Sequence, residues 1–313
     1  MHSETPVVSL VMPLLDAHPY ISEALASLSF QGQVPFEVIA IDSGSIDGTR
    51  EALANCPYIR MVDGPGLSQT AALNLGFSQA KGEIVGWLNG DDVLAPGALP
   101  FVVGWFEEHA DADFLYGDAM AINQKGRRYG VRSNVRPGQY EQLLHGDFIV
   151  QPSAFWRREI NDRFGPLDES LHFAFDYAFF LDVASKTRLH YEPVVLSFER
   201  LHGGAKTSRG GEERVEELRR VMENHIGLQV PPAFLPEAGA VHAAAGLKRL
   251  RTGDLGEARE LLGRAISDGR PRRFALAHLI AMMLGGPRGT AEARLVSNWI
   301  RSNVAGRTPV WPS

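Results

Sequence analysis

Between residues 7 and 88 the chain alternates strand-length apolar runs with single helix-length stretches, and that rhythm restricts its fold more than any other feature. VVSLVM at 7–12, FEVIAI at 36–41, residues 58–62 and IVGWL at 84–88 read as buried strands. Between them, 19–30 places Ile21, Leu25 and Leu28 at helical spacing, REALAN at 50–55 makes a short helix, and 68–80 carries Ala71, Ala72, Leu75 and Phe77. Strands joined through single helices need crossover connections, so the expected sheet is mainly parallel. From Asp113 onward the rhythm changes. DFLYGD and MAINQKGRRYG read as two short strands with a turn at Lys125-Gly126, and 148–156 and 189–198 are strand-like around a helix at 177–186.

The organisation after residue 228 differs again. LQVPPAFLPE at 228–237 sets three prolines close together, and the chain beyond them is rich in Ala, Leu, Arg and Gly. Gly253 suits the left-handed residue after a helix, and Asp254 with Glu257 resembles a capping box for the next one. Leu255, Ala258, Leu261, Leu262 and Ala265 share a face of that helix. The expected division is therefore an α/β domain over 1–228 and a small all-α region over 229–313.

Composition excludes several function classes. Hydrophobic residues are 44% and charged residues 22% of 313, enough to bury a core. Lys+Arg total 31 against Asp+Glu 37, so no nucleic-acid partner is expected. The lone Cys56 forms no internal disulfide and no cysteine zinc site, which fits a cytoplasmic compartment. No run reaches the ~18 apolar residues of a membrane span, and MHSETPVVSL is no secretory signal. Membrane contact is expected only at the periphery.

Two acidic groups sit directly after strands: Asp42 after VIAI, and Asn89-Gly90-Asp91-Asp92 after IVGWL. In an open α/β sheet, ligands bind beyond the carboxyl ends of the strands, and two carboxylate-bearing ends suit a nucleotide with a metal. Asn-Gly-Asp-Asp suits Mn2+ or Mg2+, hard cations that keep bonds to substrate phosphates and need only one or two protein carboxylates. Gly90 lets a backbone come close. The plainer readings are a turn at Asp42, and Asp92 as the cap of a helix after Val93.

These motifs, in order, resemble a known family. SLVMP, VIAIDSGSIDGT, ALNLGFSQAKGEIVGWLNGDDVL, LYGDA, FIVQPSAFWRR, GPLDESLHFAFDY and FERLHGGAKTS together resemble the inverting family 2 glycosyltransferases of GT-A fold, over about residues 7 to 210. The variant with Asn at the head of the acidic motif is common in a subgroup of bacterial surface-glycan transferases. The resemblance implies a Rossmann-like mixed sheet. It also implies a nucleotide-diphosphate sugar donor, UDP before GDP or dTDP, a Mn2+ or Mg2+ cofactor, and transfer to a hydroxyl of a glycan or lipid-linked acceptor. By the same resemblance Asp42 contacts the base or ribose, with Pro13 and Asp16 flanking that pocket, and Asn74, Asn89, Gly90 and Asp91 complete the sugar-nucleotide contacts. Asp91 and His202 are the implied metal ligands, with Lys206 and Arg209 near the leaving diphosphate. Asp176 is the implied catalytic base, and its plainer role is to cap the helix at 177. Asp118 and Gln151 are expected on the acceptor side. The second region is expected to serve acceptor contacts, a homodimer or docking at a membrane surface, or simply to cap the first.

Other chemistries fit less well. Gly64-Pro65-Gly66 follows a strand, but Gln69 stands where a dinucleotide fingerprint needs its third glycine. No G-x-S-x-G marks a serine hydrolase. A sugar-phosphate nucleotidyltransferase would want a basic Gly-rich loop where the chain has LLDAHPY, and an inactive partner-binding scaffold would not need Asp42, Asp91 and Asp176 together.

Overall fold

In a computed structural model, the described residues are 5–268 except 55, 57–58, 132–134, 207–209, 228–229 and 253. They form two compact units, Met1–Arg209 and Gly210–Ser313. The division falls ahead of the proline-rich stretch at 228–237.

The first unit is built on a nine-stranded sheet. Strands β1 (Val8–Leu14), β2 (Phe36–Asp42), β3 (Ile59–Asp63) and β4 (Ile84–Trp87) are joined by helices α1 (Ile21–Leu28), α2 (Thr49–Ala54) and α3 (Gln69–Ser78). All three pairings among these strands are parallel, as the crossovers require. Next come β5 (Val93–Leu94), α4 (Ala98–Glu108), β6 (Phe114–Ile122), β7 (Arg128–Val131), α5 (Tyr140–Leu143), β8 (Ala154–Arg157), α6 (Glu159–Phe164), α7 (Phe175–Ala184) and β9 (Leu189–Arg200). The order across the sheet is β3-β2-β1-β4-β8-β6-β9-β5, with β7 on β6. Strand β8 is antiparallel to both β4 and β6, and β9 is parallel to β6. Strands β6 and β9 thus point the same way as β1 to β4, and one edge collects the carboxyl ends of all six.

The core explains why these strands hold together. β1 is buried along its whole length. Behind β4, Trp87 meets Trp156 edge-on at 5.7 Å, and Trp156 stacks on Phe114 at 5.8 Å. Such ring contacts add to the burial of large apolar area.

The structure departs from the sequence expectations at four points. Residues 148–156 are not one strand: Gln151–Ser153 forms a 3-10 turn before β8, because Pro152 has no N–H for a ladder. DFLYGD continues unbroken to Ile122, and the hairpin to β7 turns where Gly126 has φ +69°. Asp92 caps no helix, since α4 starts at Ala98 behind Gly97. Helix α4 itself escaped the pattern because Phe101 and Val103 sit off its buried face of Leu99, Val102, Trp105 and Phe106 and blur the period.

In the second unit, α8 (Gly211–Ile226), α9 (Leu235–Thr252) and α10 (Leu255–Ser267) are helical. Asp254 caps α10 by accepting the Glu257 N–H at 3.2 Å, and Ala258, Leu261, Leu262 and Ala265 are buried as their spacing implies. Arg249 pairs with Glu257 at 3.1 Å and Arg264 with Glu260 at 2.8 Å, so part of the arginine content there is internally matched. Gly253 and the arginines at 270, 272 and 273 lie outside the described residues. Among the described residues, no helix is long and apolar enough to cross a membrane.

Candidate active site

At the carboxyl end of the parallel strands, two loops are tied together by their own side chains. The β1–α1 loop sends three N–H groups to the β2–α2 loop: Asp16 to Ser45 Oγ, Ala17 to Thr49 Oγ1 and His18 to Asp47 Oδ2, all at 2.8–2.9 Å. Asp16 Oδ1 accepts the Ile46 N–H in return at 2.9 Å. Asp16 adopts φ +49°, a left-handed conformation that a non-glycine residue holds only when its surroundings fix it. Pro13 lies on β1 just before this loop, in register with Ile41 of β2.

Asp42 ends β2 with its side chain fully buried and pairs with Arg50 at 2.6 Å. Arg50 also reaches Asp63 Oδ1 at 2.7 Å. Burial alone would raise the Asp42 carboxyl, but hydrogen bonds from Ser45 and Arg50 outweigh it and hold it below the usual carboxylate range. Arg50 was missed in the sequence, where it reads as a helix residue after Asp-Gly-Thr.

The Asn89-Gly90-Asp91-Asp92 turn follows β4. Gly90 is required here, since a Cβ would lie 2.6 Å from Leu14 Cδ2 and 2.7 Å from the Ala17 methyl. Asp91 Oδ2 faces His202 Nε2 at 2.9 Å. Asp92 points inward instead, accepting the Arg200 N–H at 2.9 Å and the Asn89 amide at 3.0 Å. Burial, with Asp91 and Glu199 nearby, pushes the Asp92 carboxyl well up.

Arg200, at the end of β9, holds the two halves of the site in place. Its side chain is fully buried and pairs with Glu23 of α1 at 2.7 Å. Its Nε donates to the Asp91 carbonyl at 2.8 Å and its Nη1 to the Asn123 carbonyl at 3.1 Å. It stacks over Tyr20 at 4.8 Å, and the Tyr20 ring lies 4.9 Å from that of His202. One arginine thus fixes both the turn carrying Asp91 and the ring that faces it. From the sequence it was only a neighbour of the histidine.

The remaining residues fall around this centre. Asp176 lies in the first turn of α7, half-buried, and its Oδ1 accepts the Tyr177 N–H at 2.8 Å. It is not the cap, a position that Ala174 takes. Its neighbour Phe175 lies 6.2 Å from the Trp87 ring and 4.9 Å from the Lys206 ammonium. Asn74 spends its amide on the segment before α7, bonding the Leu167 carbonyl, the Leu167 N–H and Glu169 at 2.8–3.0 Å. Asp118 accepts the Tyr191 hydroxyl at 2.9 Å, and burial with that bond pushes the phenol up to about 12. Gln151 bonds Asn89 and the Trp87 carbonyl. Arg209 lies outside the described residues.

The donor set fits a divalent cation. A carboxylate oxygen and an imidazole nitrogen face each other, while no group of three or more His, Cys, Asp and Glu that could hold a metal stands among the described residues. A bound ion would need further oxygen ligands besides this pair, as Mg2+ and Mn2+ find in phosphates and water.

Residues 9–167, half of the chain, match the sequence profile of glycosyl transferase family 2. The chain belongs to that family. Relatives of this glycosyltransferase include an uncharacterized glycosyltransferase of Rickettsia typhi, 24% identical over 76% of this chain and 77% of its own, and YwdF of Bacillus subtilis, 26% identical over 70% and 84%. The O-antigen biosynthesis protein RfbC of Myxococcus xanthus is 28% identical over 72% of this chain but only 18% of its own length. Among solved structures, S. aureus TarS 1–349 in complex with UDP-GlcNAc superposes with a TM-score of 0.60 at 18% identity, covering 94% of this chain and 91% of that one. The mannosyltransferase PcManGT of Pyrobaculum calidifontis, in complex with GDP-Man and Mn2+, gives 0.54 at 18% identity over 97% and 89%. Both share the GT-A-like mixed sheet expected from the motifs.

Proposed function

We propose that the chain is a metal-dependent inverting glycosyltransferase of the hexosyl type. Its sugar donor is a nucleotide-diphosphate sugar, UDP-linked before GDP- or dTDP-linked, and its acceptor is a hydroxyl of a glycan or lipid-linked saccharide in surface-glycan synthesis. The observation that carries this reading is the facing pair of Asp91 and His202, braced by Arg200 at the strand ends. The likeness to TarS with UDP-GlcNAc, to PcManGT with GDP-Man and to RfbC supports it.

In this mechanism the Asp42 pocket, walled by the interlocked loops at 15–18 and 43–49, takes the nucleoside, and the diphosphate lies toward Asp91 and His202. Asp91 and His202 would hold Mn2+ or Mg2+, which when bound would supply positive charge to the diphosphate leaving group. The acceptor oxygen attacks the anomeric carbon from the opposite face while the bond to the diphosphate breaks, inverting that centre. Asp176 takes the acceptor's proton.

Thermal-shift titration of UDP-, GDP- and dTDP-sugars tests this. One sugar nucleotide should raise Tm with Mn2+ and fail to do so in EDTA or in Asp91→Ala. A panel that leaves Tm unmoved in Mn2+ would remove the assignment.

A further inference from the structure

A chain of side-chain hydrogen bonds runs from the segment that carries His202 to the backbone of β4. Lys206 Nζ donates to Gln69 Oε1 at 2.9 Å, and Gln69 Nε2 to Asn89 Oδ1 at 3.0 Å. Asn89 Nδ2 donates to Gln151 Oε1 at 2.8 Å and to Asp92 Oδ2 at 3.0 Å, and Gln151 Nε2 donates to the Trp87 carbonyl at 2.6 Å. Amide oxygen and nitrogen have nearly the same shape, so the direction of such a chain must be set by groups that are not amides. Here both ends are such groups. An ammonium can only donate, so Gln69 turns its oxygen to Lys206 and its NH2 to Asn89. A backbone carbonyl can only accept, so Gln151 turns its NH2 to Trp87 and its oxygen to Asn89. Reasoned from either end, Asn89 must accept on one side and donate on the other.

We propose that Asn89 is a positioning residue whose amide is required at the head of the Asn89-Gly90-Asp91-Asp92 turn, with Gln69 and Gln151 fixing its orientation. A carboxylate at 89 could still accept from Gln69. It would face Gln151 Oε1 acceptor against acceptor, and it would set a second acid beside the buried Asp92. Gln151 could relieve this only by flipping, which would abandon the Trp87 carbonyl. The asparagine is therefore not a weakened acid. It is the single small side chain that both accepts and donates at this point. Its effect on the reaction runs through others, because the chain ties the turn that carries Asp91 to Lys206, four residues beyond His202. Gln69, which excluded the dinucleotide fingerprint, is a link in it.

The competing view treats position 89 as a depleted metal-ligand position, where an acid would improve cation binding. The two views differ in sign for Asn89→Asp in the full chain. The proposal expects a Tm in EDTA lower by several degrees and Mn2+ binding, read from the free-ion electron paramagnetic resonance signal, no tighter than wild type. It also expects the sugar donor's KM to rise about fivefold or more with a smaller change in kcat. Several-fold tighter Mn2+ binding at an unchanged Tm would overturn it. If Asn89→Asp does not fold, Asn89→Ala, Gln151→Ala and their double variant decide the matter by melting in EDTA. The double variant should lose clearly less than the sum of the single losses, and strict additivity would overturn the proposal. The kinetic readout rests on the glycosyltransferase reading. The EDTA melts do not, so failure of one is separable from failure of the other.

Discussion

At the scale of single residues, the two most informative carboxylates are asked for opposite properties. Asp42 must stay charged inside the protein, and hydrogen bonds from Ser45 and Arg50 together allow it. Arg50→Met should lower Tm at pH 7, because it leaves a buried carboxylate without its charged partner. Asp42 has its carboxyl lowered in the folded state, so this stabilisation is present above the ordinary carboxylate range and lost as pH falls through the folded value. The Tm difference between wild type and variant should hold above about pH 5 and close on acidification. Asp176, as the proposed base, would instead gain a proton during the reaction. Asp176→Asn keeps an oxygen for the Tyr177 N–H, so the helix start survives. Turnover should fall by ~10²-fold or more while the thermal shift from the sugar donor persists; wild-type turnover would remove Asp176 from the mechanism. Asp42 and Asp91 could be singled out in the sequence because acids after strands carry positional meaning, whereas Asp176 and His202 were reached only through the family resemblance. Neither route led to Arg50 and Arg200, since an arginine's reach across loops leaves no trace in spacing.

At the scale of elements, the parallel strands were readable because burial on both faces makes them continuous apolar runs. The half after Asp113 was less so. β5 has only two residues and exists through its pairing with β9, Val93 against Phe198 and Leu94 against Ser197. The extended-looking stretch around Gln151 carries a proline that no local pattern reveals as a turn. Helix α3 shows how one element positions another: Asn74 and Thr70 hold the segment at 167–171 that leads into α7. Asn74→Ala removes those three Asn74 bonds and should lower Tm by roughly 2–8 °C, on a scale of 2–4 °C per kcal/mol. It should also reduce kcat while Mn2+-dependent binding of the sugar donor persists, because Asp42 and Asp91 sit on other elements. An equal loss of binding would show that Asn74 acts on the nucleotide side.

At the scale of the whole molecule, every described residue of the candidate site belongs to the first unit. A chain ended after residue 209 should therefore keep the Mn2+-dependent thermal shift of the full protein. Loss of that shift, in a soluble product, would mean that residues beyond 209 complete the sugar-nucleotide site. What the second unit adds should appear in transfer to a lipid-linked acceptor, assayed on the same truncated chain. The Arg200–Glu23 pair has a further consequence, in the order of assembly. It closes a loop of 177 residues in sequence, among the most distant contacts in the unit. Contacts of such separation form late, because the entropy of closing the loop must be met before they stabilise anything. During synthesis the parallel strands can pair long before β9 leaves the ribosome. Until it does, Asp91 lacks the Arg200 contact and His202 is absent, so the proposed site can be completed only when the last strand arrives.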